Sequence, residues 1–256
     1  MVVWSHEAAI SVRFHVKHQG IEQIDSAEVS TALASVRVNA TSDQAELLAA
    51  HTNAVLTENA HMNLTRVTER DQVLRLHIAD SATVVPVLAG LEPGRIIDIG
   101  SGAGYPGFCL RILLGWDTTL AESVKKKAAF LERAAALLDL QITVSAERAE
   151  EIALHARNEY QYVVARAVSS LPSLVELASP LLSKDGRLVA MKGDIDPEEV
   201  RRADLAAKQC GMSRVETISL ELPGGEKRAI ISYAKSGKPK LDLPRRSGMA
   251  QRHPLA

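Results

Sequence analysis

The sequence predicts an α/β protein built on an open, mostly parallel sheet, and three observations carry that expectation. From Leu91 onward, short β-rich apolar runs alternate with helix-length segments, the pattern of βαβ units. Residues 21–90 before them show helical spacing only. Near the end, two strand candidates are separated by little more than Pro223-Gly224-Gly225, too short for a parallel crossover, so they close the sheet as an antiparallel hairpin.

Each element follows in order. In residues 21–90, Val29, Leu33 and Val36, then Leu47, Leu48, Val55 and Leu56, then Val73, Leu74, Ile78, Val84 and Val85 recur at helical intervals. Breaks at 39–42 and 59–68 divide this stretch into two or three helices, and Thr41-Ser42-Asp43 is a capping-type start. In residues 91–236 the predicted strands are 95–99, 118–121, 142–145, 162–167 and 187–191, with the hairpin at 215–222 and 229–234. Helices are predicted at 107–114, 124–138, 148–157, 172–182 and 197–210. Residues 237–256, punctuated by Gly237, Pro239, Pro244, Gly248 and Pro254, read as extended or loop.

Composition narrows the function classes. At 46% hydrophobic and 24% charged, the 256-residue chain is an ordinary globular protein, which excludes disorder, collagen and a bare coiled coil. Cys109 and Cys210 are too far apart for a C-x-x-C pair, so neither a disulfide scaffold nor a metal site is expected. With no apolar run of membrane length, and charges and histidines in residues 1–20 where a signal peptide would be apolar, the expectation is a cytoplasmic protein, with residues 1–20 either a disordered extension or the product of an upstream start. The net charge of −1 conceals a division. Residues 227–256 carry eight Lys/Arg against one acidic residue, a net +7, and the rest of the chain carries −8. A basic end on an acidic body suits an anchor for a polyanion such as RNA; a solvated tail or a strap closing over the sheet is the alternative.

The sharpest local signal is Asp98-Ile99-Gly100-Ser101-Gly102-Ala103-Gly104-Tyr105-Pro106-Gly107, directly after the first predicted strand. Glycines there permit a tight turn and close backbone approach to a ligand at the carboxyl end of the strand. Gly102, Gly104 and Gly107 formally match the dinucleotide fingerprint. Asp98 would repel a pyrophosphate, however, and Pro106 removes an N–H from the would-be phosphate loop. A ligand with a cationic end suits Asp98 better. S-adenosylmethionine has an ammonium, a sulfonium and no phosphate, and Glu122 at the end of the second strand is placed to accept from ribose hydroxyls.

In these residues and in a series of further motifs, the chain resembles the bacterial small-subunit ribosomal RNA guanine-N7 methyltransferases, the family first named glucose-inhibited division protein B. The resemblance runs from about Asn53 onward through Asn63-Leu64-Thr65, residues 76–81, the 98–107 turn, Glu122-Ser123 with Lys125-Lys126-Lys127, Arg148-Ala149-Glu150, Arg166-Ala167-Val168, Lys192-Gly193, and Pro244 to Leu255. It implies a Rossmann-like class I methyltransferase: a seven-stranded, mostly parallel sheet with one antiparallel strand and an N-terminal helical cap. The domains would be the cap at 21–90, an S-adenosylmethionine-binding domain at 91–236 and a basic segment at 237–256. The cofactor pocket it implies comprises Gly100, Tyr105, Glu122, Ala149, Glu150 and Arg166, to which Asp98 and Gly102 are added from the turn. The implied reaction is methylation of guanine N7 in the decoding-region loop of 16S ribosomal RNA, by a monomer, on the small subunit or its precursor, with neither metal nor membrane. Two positions depart from the family pattern: Gln161 stands where Asp is common, and Phe108-Cys109 where Ile-Pro is usual.

Guanine N7 has an in-plane lone pair, so its attack on a sulfonium methyl needs no base, and no residue is assigned proton transfer. Neither an Asp/Asn-Pro-Pro-Tyr box nor a Pro-Cys pair follows the fourth strand, as amine or pyrimidine-carbon methylation would require. Arg166, ending a buried run, is expected to position the reactants, with Glu150 or Asp98 as a structural partner. For RNA, the expected contacts are Asn63, His77, Lys125, Lys126, Lys127, Arg148, Arg228, Lys238, Lys240, Arg245 and Arg246, and of these the three lysines of the run with Arg228, Lys238, Lys240, Arg245, Arg246 and also Lys235 form a basic rim around the pocket. His77 reads equally as a hydrogen-bonded core histidine, Asp80 as a helix-stabilising polar residue, and the lysine run as a solvated face. The competing functions are a nonenzymatic ribosome assembly factor on the same fold and a dehydrogenase.

Overall fold

The computed structural model describes residues 23–256. The extension expected over 1–20 lies outside the described residues. Helices α1 (Ser26–Ser35) and α2 (Ser42–Asn59) open the cap, followed by α3 (Arg70–Val73), a π-helical segment (Leu74–Ala79), α4 (Asp80–Ala82) and α5 (Val85–Ala89). Strands β1 (Ile96–Ile99), β2 (Thr118–Ala121), β3 (Ile142–Ser145), β4 (Tyr160–Arg166) and β5 (Leu182–Lys192) then alternate with α6 (Gly107–Leu114), α7 (Lys125–Leu137), α8 (Ala149–His155) and α9 (Leu171–Ala178). Helix α10 (Pro197–Cys210), the hairpin β6 (Met212–Glu221) and β7 (Lys227–Lys235), and the short α11 (Met249–Arg252) complete the chain.

The sheet order is β3-β2-β1-β4-β5-β7-β6, with β7 alone antiparallel to its neighbours. This is the expected seven-stranded architecture. Strand periodicity sends alternate side chains into two cores. Ile96, Val164 and Val189 pack with the cap, α6 and α7, whereas Ile97, Val163, Ala165, Leu188 and Ala190 pack with α8, α9 and α10.

Local signals set the boundaries. Thr41 forms a capping box with Gln44: Thr41 Oγ1 accepts from the Gln44 N–H at 3.2 Å, and Gln44 Oε1 accepts from the Thr41 N–H at 3.0 Å. Pro197 opens α10 behind the Asp196 cap, and Gly211 ends it at φ +69°. Several boundaries differ from the sequence expectation: β5 begins at Leu182 and β6 at Met212, ahead of the expected 187 and 215, and α11 stands in a segment expected to be extended or loop. Helix α9 stops at Ala178 because β5 already begins at Leu182. The run through His77, expected as regular α-helix, widens to a π-helix over Leu74–Ala79 where the cap meets the sheet, a device common at functional sites.

The C-terminal segment is a strap. Lys235, at the far end of β7, lies at the amino ends of the parallel strands, where its Nζ donates to Asn158 Oδ1 and to the Ser179 and Leu182 carbonyls. Lys240, bonded through its N–H to the Gln209 carbonyl, and Lys238 follow at that same end. The chain then crosses the α8–α9 face, burying Leu243 and Ala250 in the second core. Arg245 places two nitrogens 2.6 Å from the carboxylate of Glu176, which is only 3% exposed. The basic rim expected from Lys235, Lys238, Lys240 and Arg245 is therefore corrected: three sit at the opposite pole from the pocket, and the fourth neutralises a buried acid. Arg246 remains exposed beside α8.

Removing one member of a buried ion pair leaves the other charge unpaired. Arg245→Met is therefore expected to lower unfolding free energy by about 3 kcal/mol, measured by urea denaturation; a loss below about 1 kcal/mol would mean that Glu176 finds other solvation.

Candidate active site

Every element that builds the site converges on the carboxyl ends of β1, β2, β4 and β5. Gly100, Gly102 and Gly104 adopt φ of +72°, +57° and +95°, which makes the turn after β1 possible without side-chain strain. A Cβ on Gly100 would fall 2.6 Å from Val168, and one on Gly107 would fall 2.1 Å from Leu120, so Gly107 allows α6 to pack directly on β2.

Two carboxylates fix this turn. Asp98 Oδ2 accepts from the Gly107 N–H at 3.1 Å, and the Asp98 carbonyl accepts from Ser101 Oγ at 2.9 Å. The side chain is 0% exposed and Oδ1 has no partner among the described residues, so burial raises its pKa from 3.8 to about 7. Asp98 thus stands behind the pocket wall, tying the turn to α6. The expectation that it meets a cationic ligand directly is corrected on that ground. Glu122 is in the wall: Oε2 accepts from the Gly102 N–H at 3.0 Å and Oε1 from the Val124 N–H at 2.8 Å, locking the first loop to the second.

The cavity above the turn measures about 630 Å³. Gly100 to Ala103, Tyr105, Glu122 and Lys127 line one side; Arg166, Ala167, Met191, Lys192 and Arg228 line another; the cap closes it with Leu64, Thr65, Val67, Leu76, His77 and Asp80. Arg166 is held by the cap, through Nη1 donating to the Leu76 carbonyl at 2.7 Å and to Asp80 Oδ2 at 3.3 Å. Asp80 Oδ1 in turn accepts from Arg228 Nε at 2.9 Å. The partner of Arg166 is therefore Asp80, and the expected pairing with Glu150 or Asp98 is corrected. Ala167 follows in the left-handed region at φ +56°, a strained conformation for a residue with a Cβ.

Aromatic rings join cap to turn. His77 stacks on Tyr105 with centroids 4.8 Å apart, His51 meets the edge of Tyr105 and stacks on Phe108 at 4.1 Å, and the Arg166 guanidinium lies 5.7 Å from the Tyr105 centroid. His51 Nε2 is 3.1 Å from the Ala103 carbonyl, which can only accept, so this nitrogen carries the proton. Burial lowers the pKa of His51 from 6.5 to about 3, and burial with the Arg166 charge lowers that of His77 to about 4. Both rings are neutral at pH 7.

The structure brings Gly100, Gly102, Tyr105, Glu122, Lys127, His77, Arg166 and Arg228 together in one wall. Lys125 and Lys126 are exposed at the start of α7 beside it, and Asn63 is exposed one residue before Leu64. Arg148, Ala149 and Glu150 border a smaller cavity of about 70 Å³ that shares Gly100 with the first. Sequence reasoning missed His51, Thr65 and Lys192 as site residues and left Asp80 undecided. Lys192 and Asp80 lay in motifs already marked, but their partners are distant in sequence. A groove of about 490 Å³ between α2 and α7 contains Ala50, Ala54 and Phe130 and lies away from these converging groups. Gln161, at a departing position, supplies Oε1 to the Arg95 N–H at 2.8 Å, and Phe108 and Cys109 are fully buried.

The pKa shifts fix a pH dependence. His51 and His77 bind protons on unfolding below pH 6.5, so their contribution to stability is lost as pH falls from 6.5 toward their folded values. Asp98 acts oppositely, because its raised pKa makes stability fall as pH rises from 3.8 to about 7. Between pH 4 and 6.5 the two histidines outweigh the one acid by a single proton. Stability is expected to drop by about 1.4 kcal/mol per pH unit on acidification, and Asp98→Asn should roughly double that slope in urea titrations; an unchanged slope would place Asp98 as an ordinary carboxylate.

Comparison with known proteins agrees with this geometry. Residues 44–231 match the family model described as rRNA small subunit methyltransferase G. The chain is 38% identical over 216 residues to ribosomal RNA small subunit methyltransferase G of Roseiflexus castenholzii, covering 83% of this chain and 92% of the relative. It is 34% identical over 235 residues to the protein of the same name from Carboxydothermus hydrogenoformans, covering 90% and 99%. In fold, it superposes on geranyl diphosphate methyltransferase, solved with GPP and sinefungin, at a TM-score of 0.51 and 14% identity, over 61% of this chain and 77% of that one. The chain belongs to the rRNA small subunit methyltransferase G family.

Proposed function

We propose that this chain methylates guanine N7 in 16S ribosomal RNA, acting as a cytoplasmic monomer on the small ribosomal subunit or its precursor. The observation that carries the reading is the single cavity wall in which a Cβ-free glycine turn and a buried carboxylate face two cap-held arginines. The residues fit S-adenosylmethionine. Gly100 leaves open the junction between the larger cavity and the smaller one beside Ala149 and Glu150, where any side chain would strike Val168. Glu122 brings a carboxylate to the cavity wall, each oxygen accepting one backbone N–H and keeping a further lone pair for a ligand hydroxyl.

S-adenosylmethionine supplies an electrophilic methyl group on a sulfonium. The protein's task is then to bring the N7 lone pair into line with it, which is catalysis by positioning. Arg166 spends one nitrogen on Leu76 and Asp80, and its remaining donors are available to the cofactor carboxylate or the guanine. Asp80 offsets one positive charge of the Arg166–Arg228 pair, which limits repulsion of the cation that develops on guanine. Arg228, Lys192 and Lys127 edge the cavity with charge for RNA phosphates, joined by exposed Lys125, Lys126, Arg148 and Arg246; Asn63 and His77 form the cap side of the entry. A neutral His77 stacked on Tyr105 offers the target base an aromatic boundary, and no proton acceptor is required of it.

Two measurements test the reading. Methylated 16S RNA should become cleavable at one guanosine by borohydride and aniline, and label on another base, or a resistant product, would overturn N7 specificity. Gly100→Val should abolish S-adenosylhomocysteine binding in calorimetry while circular dichroism keeps its native form; wild-type affinity would remove the turn from the cofactor site.

A further inference from the structure

The smaller cavity is bounded by chain segments that are distant in sequence. Ile99, Ala121, Val168 and Leu177 make an apolar slot, and Ser123 and Glu150 supply polar atoms at its border. The remaining sides are Glu147, Arg148 and Ala149 at the start of α8 and the C-terminal strap, where Gln251 of α11 borders the cavity. The strap is fixed there by buried bonds: the Gly248 N–H donates to Glu150 Oε1 at 2.7 Å, and Ser173 Oγ donates to the Ala250 carbonyl at 2.8 Å. The Gln251 side-chain amide makes no hydrogen bond among the described residues.

We infer that the strap completes the adenine subsite and that the Gln251 amide reads the amino edge of the purine. This deepens the methyltransferase reading and rests on it. An apolar slot with polar groups at one border accepts a flat heterocycle whose faces are apolar and whose edge is polar. A carboxamide presents one donor beside one acceptor, the complement of a ring nitrogen beside the 6-amino group of adenine, which is why Gln and Asn pair bidentately with adenine. Glu150 has one oxygen committed to Gly248, so the strap also orients the second polar group of the subsite. Gly100 forms the boundary shared with the larger cavity, and Glu122 and Ser123, consecutive at the end of β2, face one cavity each. One adenosyl ligand can thus span both, the polar edge of its purine in the slot of about 70 Å³ against the strap and the rest of the nucleoside in the larger cavity.

The experiment compares the full chain with Gln251→Ala in calorimetry, using S-adenosylhomocysteine, adenosine and purine riboside, which lacks the 6-amino group. Gln251 is exposed, so thermal unfolding should be unchanged. The expected result is a loss of roughly fivefold or more in affinity for S-adenosylhomocysteine and for adenosine, with purine riboside affected less. Equal affinities for wild type and variant, or an equal loss for adenosine and purine riboside, would overturn the role of Gln251 while leaving the cofactor assignment intact. A wild-type chain that binds none of the three would overturn the cofactor reading itself, and this inference with it.

Discussion

The carboxylate of Asp80 holds the site together. It extends from the cap, directly after the π-helical segment, and bonds an arginine from β4 with one oxygen and an arginine from β7 with the other. Two like charges brought close at a cavity wall repel each other, and a buried acid between them turns that repulsion into a brace. The widened turn of helix just before Asp80 also leaves the Leu76 carbonyl available to Arg166, so the backbone and the side chain of one element secure the same guanidinium. Cap and sheet are therefore coupled through groups that line the larger cavity.

A second joint complements this one. Few aromatic residues are present, at 4% of the chain, yet Phe108 and Tyr105 are placed where the glycine turn meets the cap, with His51 and His77 as neutral flat partners. Thr52 bonds the Tyr105 hydroxyl at 2.9 Å, and Thr65 Oγ1 lies 2.8 Å from His77 Nε2. The tips of both rings are satisfied from the cap, which makes the stack directional as well as apolar.

The fold was legible because its signals are local. The period of two in the strands, the helix caps and the proline-glycine turn of the hairpin each act over a few residues, and the observed strands mostly begin and end within a few residues of the predicted ones. The glycine turn was legible for the same reason. What could not be read were pairings across distance. Asp80 and Arg166 are 86 positions apart, and nothing in either neighbourhood distinguishes this pairing from one with Glu150. The basic end showed its charge but not its path: Arg245 finds its acid in a helix 69 residues earlier, and the reversal of β7 carries Lys235 away from the pocket while leaving Arg228 at it. Charge counts report composition, and strand direction decides where the charge is delivered.

That reversed last strand also fixes when the site can exist. Residues 75 and 80 of the cap are bonded to residues 226 and 228, about 150 positions later. Chains begin to fold from the amino end during synthesis, so the cap and the first strands emerge with Asp80 and Arg75 still lacking these partners. The cleft becomes a finished structure only once the hairpin has been made, and the smaller cavity beside it only once Gly248 has reached Glu150. A chain cut before β7 could form the parallel part of the sheet and still lack the bonds that tie Arg75 and Asp80 of the cap to it.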